Sequence, residues 1–72
     1  MILLTSSECA PCIAIKSFIE DNKIEGVQIL STADESAQIL IAAHRVRSVP
    51  TLIVDNRTIT GANEIMEKLR LA

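Results

Sequence analysis

Aromatic side chains are nearly missing from this chain: one phenylalanine, no tyrosine and no tryptophan among 72 residues. Any core must therefore be aliphatic, and the stacking platforms that hold single-stranded nucleic acid are absent. No surplus of positive charge takes their place. Seven Lys and Arg stand against nine Asp and Glu, a net charge of −2, so neither a nucleic-acid groove nor an anionic membrane surface is an expected partner. The apolar opening, Met1 to Leu4, is far too short for a signal peptide or a spanning helix. These absences lead to the expectation of a cytoplasmic protein. Glycine and proline number two each, and no Pro- or Gly-rich linker divides the chain. One domain over residues 1–72 is expected, burying roughly 60% of its extended surface. With 49% apolar residues there is material for a thin core.

The two cysteines, Cys9 and Cys12, stand three apart in the run Cys9-Ala10-Pro11-Cys12. Such a pair supports three readings. It is a dithiol that exchanges with disulfides, half of a zinc site, or two small core residues. The zinc reading needs further ligands, and His44 is the sole histidine with no second cysteine pair beside it, so no metal is expected. As a permanent staple the pair closes a tiny loop, and structural disulfides are uncommon in a reducing compartment. A reversible disulfide between Cys9 and Cys12, with no other bound cofactor, is the expectation.

Hydrophobic periodicity sets the pair in context. Ile2 to Thr5 reads as a short strand buried on both faces, of the kind found in a mostly parallel sheet. Ser6, Ser7 and Glu8 end it. From Pro11 to about Lys23, apolar residues recur at helical spacing on a stripe holding Cys12, Ile15, Phe18 and Ile19. Proline suits a first helical turn, where its missing N–H is not needed. Cys9 then lies where unpaired amides and the positive end of the helix dipole favour thiolate, while Cys12 lies on the buried stripe. Cys9 is the expected nucleophile and Cys12 the resolving thiol. Glu8 would oppose thiolate formation if it turned toward Cys9.

Glu25 and Gly26 predict a turn, and Val27 to Ser31 a second strand. Thr32 with Glu35 has capping-box spacing, opening a helix from about Ala33 to His44 with Ala33, Ala37, Leu40, Ile41 and His44 near one face. Pro50 precedes the run Leu52 to Val54, as suits a residue that cannot donate to a sheet ladder. Asp55 and Asn56 predict a two-residue hairpin into a strand over Arg57 to Thr60. Gly61 ends that strand, and Asn63 to Leu71 reads as a last helix, with Ile65, Met66 and Leu69 inward and its charges suited to the dipole. Arg45, Arg47 and Arg57 read as solvated surface or as attraction for an acidic partner.

The order β-α-β-α-β-β-α, with Cys-x-x-Cys at the first helix start and proline opening the third strand, resembles the thioredoxin fold in its short form, the size of the glutaredoxins. The fold class implied is α/β, a four-stranded mixed sheet with three helices. The resemblance covers essentially the whole chain. Cys9-Ala10-Pro11-Cys12 and Val46-Arg47-Ser48-Val49-Pro50-Thr51 are similar to the thioredoxin stretches, whereas the length and the Gly61 turn are similar to glutaredoxin.

The resemblance implies a thiol-disulfide oxidoreductase that reduces protein disulfides, with Pro11 in its active site and a cis peptide bond before Pro50. Ala10, Ser48, Val49 and Gly61 are the implied substrate-binding positions, with a partner's extended backbone pairing beside Val49. It implies a monomer whose partners are disulfide-containing proteins, ribonucleotide reductase among the candidates, recharged by a flavoprotein thioredoxin-type reductase. The alternative source is glutathione, but Ser6-Ser7-Glu8 stands where glutaredoxins often carry a basic residue, and Gly61-Ala62-Asn63 where they often carry paired glycines and an acid. An iron–sulfur protein or a non-catalytic thioredoxin-like interaction module are the further alternatives.

Overall fold

The structure, a computed structural model, describes residues 1–71. Strands β1 (Ile2–Thr5), β2 (Gln28–Ser31), β3 (Thr51–Val54) and β4 (Arg57–Thr60) alternate with helices α1 (Ala10–Asp21), α2 (Glu35–His44) and α3 (Ala62–Leu71) in the order β1-α1-β2-α2-β3-β4-α3. They form one mixed sheet in the order β2-β1-β3-β4. Only β1 and β2 run parallel; β3 is antiparallel to both β1 and β4. The burial of β1 thus arises from its inner position in a mixed sheet, not from a mostly parallel one as its apolar run suggested. Its residues feed two cores, because successive side chains point to opposite faces. Leu3 joins Leu52 under Ile15 and Ile19 of α1 and Ile65 and Leu69 of α3. Leu4 joins Ile53 against Ala37 of α2 on the other face.

Helix ends depart from the periodicity in instructive ways. The amphipathic pattern runs to Lys23, but α1 stops at Asp21. Lys23 is turned to φ 50°, and Ile24 donates back to the Ile19 carbonyl at 3.0 Å while Lys23 donates to Glu20 at 3.2 Å. That is a Schellman closure, with Ile24 packed into the same core as Ile19. Likewise β2 begins at Gln28, one residue after the sequence boundary, and α3 at Ala62, one before it.

The expected Thr32–Glu35 capping box does not form. Asp34 is the N-cap of α2, and its carboxylate turns outward to accept the Ser31 N–H at 3.2 Å instead of an α2 amide. Asp34 N–H also donates to the Ser31 carbonyl at 2.9 Å. Gln28 and Thr32 donate inward, to the Met1 and Thr5 carbonyls, so Ser31 is one of the alternate residues whose backbone faces the open edge. Asp34 therefore closes one end of an exposed strand that would otherwise invite pairing with another chain. Ala33, expected on the buried face of α2, lies before the helix and is exposed; of that face only Ala37 is fully buried, and Leu40, Ile41 and His44 are half-buried.

The hairpin follows the sequence. Asp55 and Asn56 take φ values of 48° and 63°, the left-handed pair that a two-residue type I′ turn requires and that Asp and Asn tolerate best after glycine.

Candidate functional site

The C-terminal end of β1 and the N-terminal end of β3 meet at one rim of the sheet, since Leu4 pairs with Thr51 and β3 begins there. After β1 the chain passes through Ser6, Ser7 and exposed Glu8 to Cys9, the N-cap of α1. Cys9 is in extended backbone, φ −122° and ψ 105°, and its carbonyl accepts the first helical bond, from Ile13 N–H at 3.1 Å. A serine or aspartate at this position would cap the helix through oxygen. Here sulfur does so: Cys12 N–H points at Cys9 Sγ, 3.1 Å away.

The two sulfurs are joined as a disulfide, with Cα atoms 5.2 Å apart. They are not equivalent. Cys9 keeps 7% of its surface exposed and Cys12 none. Cys12 sits one position after Pro11 on the inward stripe of α1 that continues to Ile15 and Ile19. Ala10 and Pro11 are exposed in the first turn, where proline removes a donor that had no acceptor.

The Val49–Pro50 peptide bond is cis. Pro50 is buried, Val49 half-buried and Ser48 exposed. Neither the N–H nor the carbonyl of Val49 makes a backbone hydrogen bond among the described residues. Gly61, with φ 89°, is at the same rim, because Thr60 pairs with Thr51. It lies beyond β3, two strands or about 10 Å across from β1, and its carbonyl accepts Ile65 N–H to start α3. The rim thus gathers Cys9, Cys12, Ser48, Val49 and Pro50 near the β1–β3 junction, with Gly61 at the far side. His44 is half-buried in the last turn of α2, and no cluster of three metal-ligating side chains occurs among the described residues.

Sequence reading missed two polar residues. Thr5 and Thr51 are 2% and 0% exposed, the buried polar residues of this rim. Thr51 Oγ1 donates to the Ser48 carbonyl at 2.7 Å, and Thr5 Oγ1 to the Leu30 carbonyl at 3.4 Å. Thr5 had registered only as the end of the first strand, and Thr51 only as part of the stretch around Pro50 before the third. The available signal was the threonine directly after proline, since a hydroxyl bonding the carbonyl three residues back is a recurrent local motif. This bond ties down the segment before Pro50. Thr51→Val keeps the shape and removes the donor, and is expected to lower stability by about 1 kcal/mol. An unchanged urea midpoint would show that the hydroxyl contributes nothing.

No family model matches the sequence, and no curated protein matches it. Among solved structures the chain is similar to the thioredoxin-like protein BC3987, with a TM-score of 0.74 and 24% identity over 94% of this chain and 96% of that one. It is similar also to a mutant of that protein, with a TM-score of 0.73 and 24% identity over 97% and 93% of the two chains. The chain has a thioredoxin-like fold, and its close cysteine pair fits a redox role.

Proposed function

We propose that this chain works as a single thioredoxin-fold domain that reduces protein disulfides by dithiol exchange in a reducing compartment. The asymmetry of the sulfur pair carries the reading. Cys9 caps a helix, receives an amide N–H at 3.1 Å and keeps residual exposure, while Cys12 is buried one turn inward. Helix-terminal amides favour negative charge on Cys9 sulfur once the disulfide opens.

In the forward reaction Cys9 thiolate attacks one sulfur of the target disulfide. A bond forms between Cys9 and that sulfur, the target S–S bond breaks, and the other sulfur leaves as thiolate to be protonated by water. Cys12, losing its proton, then attacks Cys9 Sγ. The Cys9–Cys12 bond forms, the second target sulfur leaves, and two electrons have passed from the pair to the target. The free backbone groups of Val49 suit a partner segment added as a short strand beside Pro50. Ala10, Ser48 and Gly61 flank that path.

A flavoprotein disulfide reductase of the thioredoxin type is the proposed electron source. With insulin as substrate, nicotinamide oxidation through such a reductase is expected to run at least ~10-fold faster than through glutathione and glutathione reductase. The reverse order would make glutathione the donor. Turnover with neither would sink the oxidoreductase reading, and a coloured protein that bleaches in Cys9→Ser would replace it with an iron–sulfur site.

A further inference from the structure

The sheet has two open edges, β2 and β4, and they are finished differently. At β2 the Asp34 carboxylate takes the outward Ser31 N–H. At β4 nothing does the same. Val54 and Arg57 close the two-residue turn, and a closed turn bonds the Arg57 N–H to the Val54 carbonyl. Bonded and non-bonded pairs alternate along an antiparallel ladder. Arg57 and Ile59 therefore bond to β3, while the N–H and C=O groups of Thr58 and Thr60 face outward. Both threonines are exposed, and neither makes a backbone hydrogen bond outside the sheet among the described residues.

Beside this edge, on the α3 face, lies an open hollow of about 570 Å³ lined by Ile59, Asn63, Glu64, Glu67, Lys68 and Leu71. Leu71 is 76% exposed. The charges along the hollow are unevenly placed. At the turn end Lys68 lies beside Arg57 and Asp55, two cations against one anion. At the other end Glu64 stands in the first turn of α3. Glu67 is already paired with Arg70, the ion pair found among the described residues. Glu64 and Lys68, four residues apart on the helix, are thus left without a partner among them.

We infer that this edge is a homodimer interface, in which β4 of two copies pairs antiparallel about a two-fold axis through Ile59 to give an eight-stranded sheet. The outward groups set the register: Thr58 of one copy lies opposite Thr60 of the other, Ile59 opposite itself, and Arg57 opposite Gly61. Each Thr58–Thr60 pair exchanges two backbone bonds. The axis is perpendicular to the sheet, so both α3 helices lie on one face. Ile65 and Leu69 of α3 share a core with Leu52 of β3 and Ile59 of β4, which sets the helix over the seam between those strands. Its copy then lies two strand spacings away, about 10 Å, a helix-packing distance. The two helices run antiparallel, so Lys68 of each meets Glu64 of the other, and Arg57 points toward the same first turn. A second copy is the fitting occupant because one surface supplies both halves of every contact. The monomer implied by the family resemblance is then the form at low concentration. Thr60 pairs with Thr51 at the rim that holds Cys9, and the two-fold axis turns the two rims in opposite directions. The interface therefore leaves both sulfur pairs open and does not depend on the oxidoreductase reading.

The test is sedimentation velocity of the full chain, kept reduced so that no interchain disulfide contributes, from ~10 μM to ~1 mM, the range of weak association. The mass is expected to rise from that of one chain toward that of two. Thr58→Pro removes an outward N–H and no bond to β3, and is expected to raise the dissociation constant at least ~10-fold. Glu64→Lys and Lys68→Glu, both at exposed positions, are each expected to weaken self-association about tenfold by setting like charges together. An equal mixture of these two variants is expected to recover the dimer to within about threefold, since each then meets the opposite charge. These charge variants keep the test decisive even where Thr58→Pro disturbs the hairpin. A single-chain mass at every concentration would overturn the interface. Association that Thr58→Pro leaves unchanged in a folded chain, or charge variants that fail to restore each other, would assign the contact to another surface and overturn it equally.

Discussion

Cys12→Ser is expected to accumulate a mixed disulfide with its target on Cys9, and Cys9→Ser to accumulate none. Each variant is expected to lose turnover by ~10³-fold or more, as loss of an essential nucleophilic group does in other enzymes. The two differ in what they retain. In Cys12→Ser the N–H that faces Cys9 Sγ belongs to the backbone, so the charge-stabilising contact survives and the first attack proceeds. The second attack has no thiol to perform it, and the target stays bound. In Cys9→Ser the remaining sulfur is at zero exposure on the inward stripe of α1. An incoming disulfide cannot reach it in line without displacing the first turn. Incubation with an oxidised peptide disulfide, followed by intact-mass and peptide mapping, checks both. A stable adduct on Cys12 alone would reverse the assigned roles.

Leu52→Ala is expected to lower unfolding free energy by about 2–5 kcal/mol. For a chain of this length the total is on the order of 4–11 kcal/mol, so this one change removes a large share of it. Leu52 is fully buried at the centre of β3, paired with Leu3 of β1 on one side and Ile59 of β4 on the other. It also lies beneath the helix pair whose inward residues are Ile15, Ile19, Ile65 and Leu69. The sheet holds its backbone on both sides, which prevents the site from closing around the missing side chain. Phe18, the sole aromatic residue, is only half-buried at the margin of this core. Ile39→Ala, at a position 67% exposed on α2, is the control and is expected to change stability by less than about 0.5 kcal/mol. Urea unfolding with unchanged slope measures both. If Leu52→Ala were no worse than the control, the core described around β3 would be wrong.

The four strands, three helices and their order were readable because each has a clear period or a clear stop. Ile2 to Thr5 is a continuous apolar run, the stripe from Cys12 to Ile19 has helical spacing, and Asp55-Asn56 is a turn pair. Boundaries were less legible. Lys23 continues the helical pattern in sequence, yet the chain turns there, closing α1 with the Lys23 and Ile24 amides and packing Ile24 against the core that holds Ile19. Thr32 looked like a cap by spacing, but Asp34 took that place. Asp is itself a favoured N-cap type; what spacing does not show is that the Asp34 carboxylate serves the Ser31 N–H at the open edge of β2 instead of an α2 amide.

The candidate site divides in the same way. Order of residues alone decides that a cysteine pair opens a helix, and that a proline opens a later strand, because helix starts and sheet ladders obey local rules. Long-range pairing decides the rest. The antiparallel register of Leu4 with Thr51 sets the proline segment at the rim where Cys9 begins α1. Burial separates two chemically identical cysteines into one that keeps 7% of its surface accessible and one that is fully enclosed. Residue spacing set Cys12 on the apolar stripe; how completely each cysteine is enclosed depends on how the sheet covers α1, a property of the packed chain.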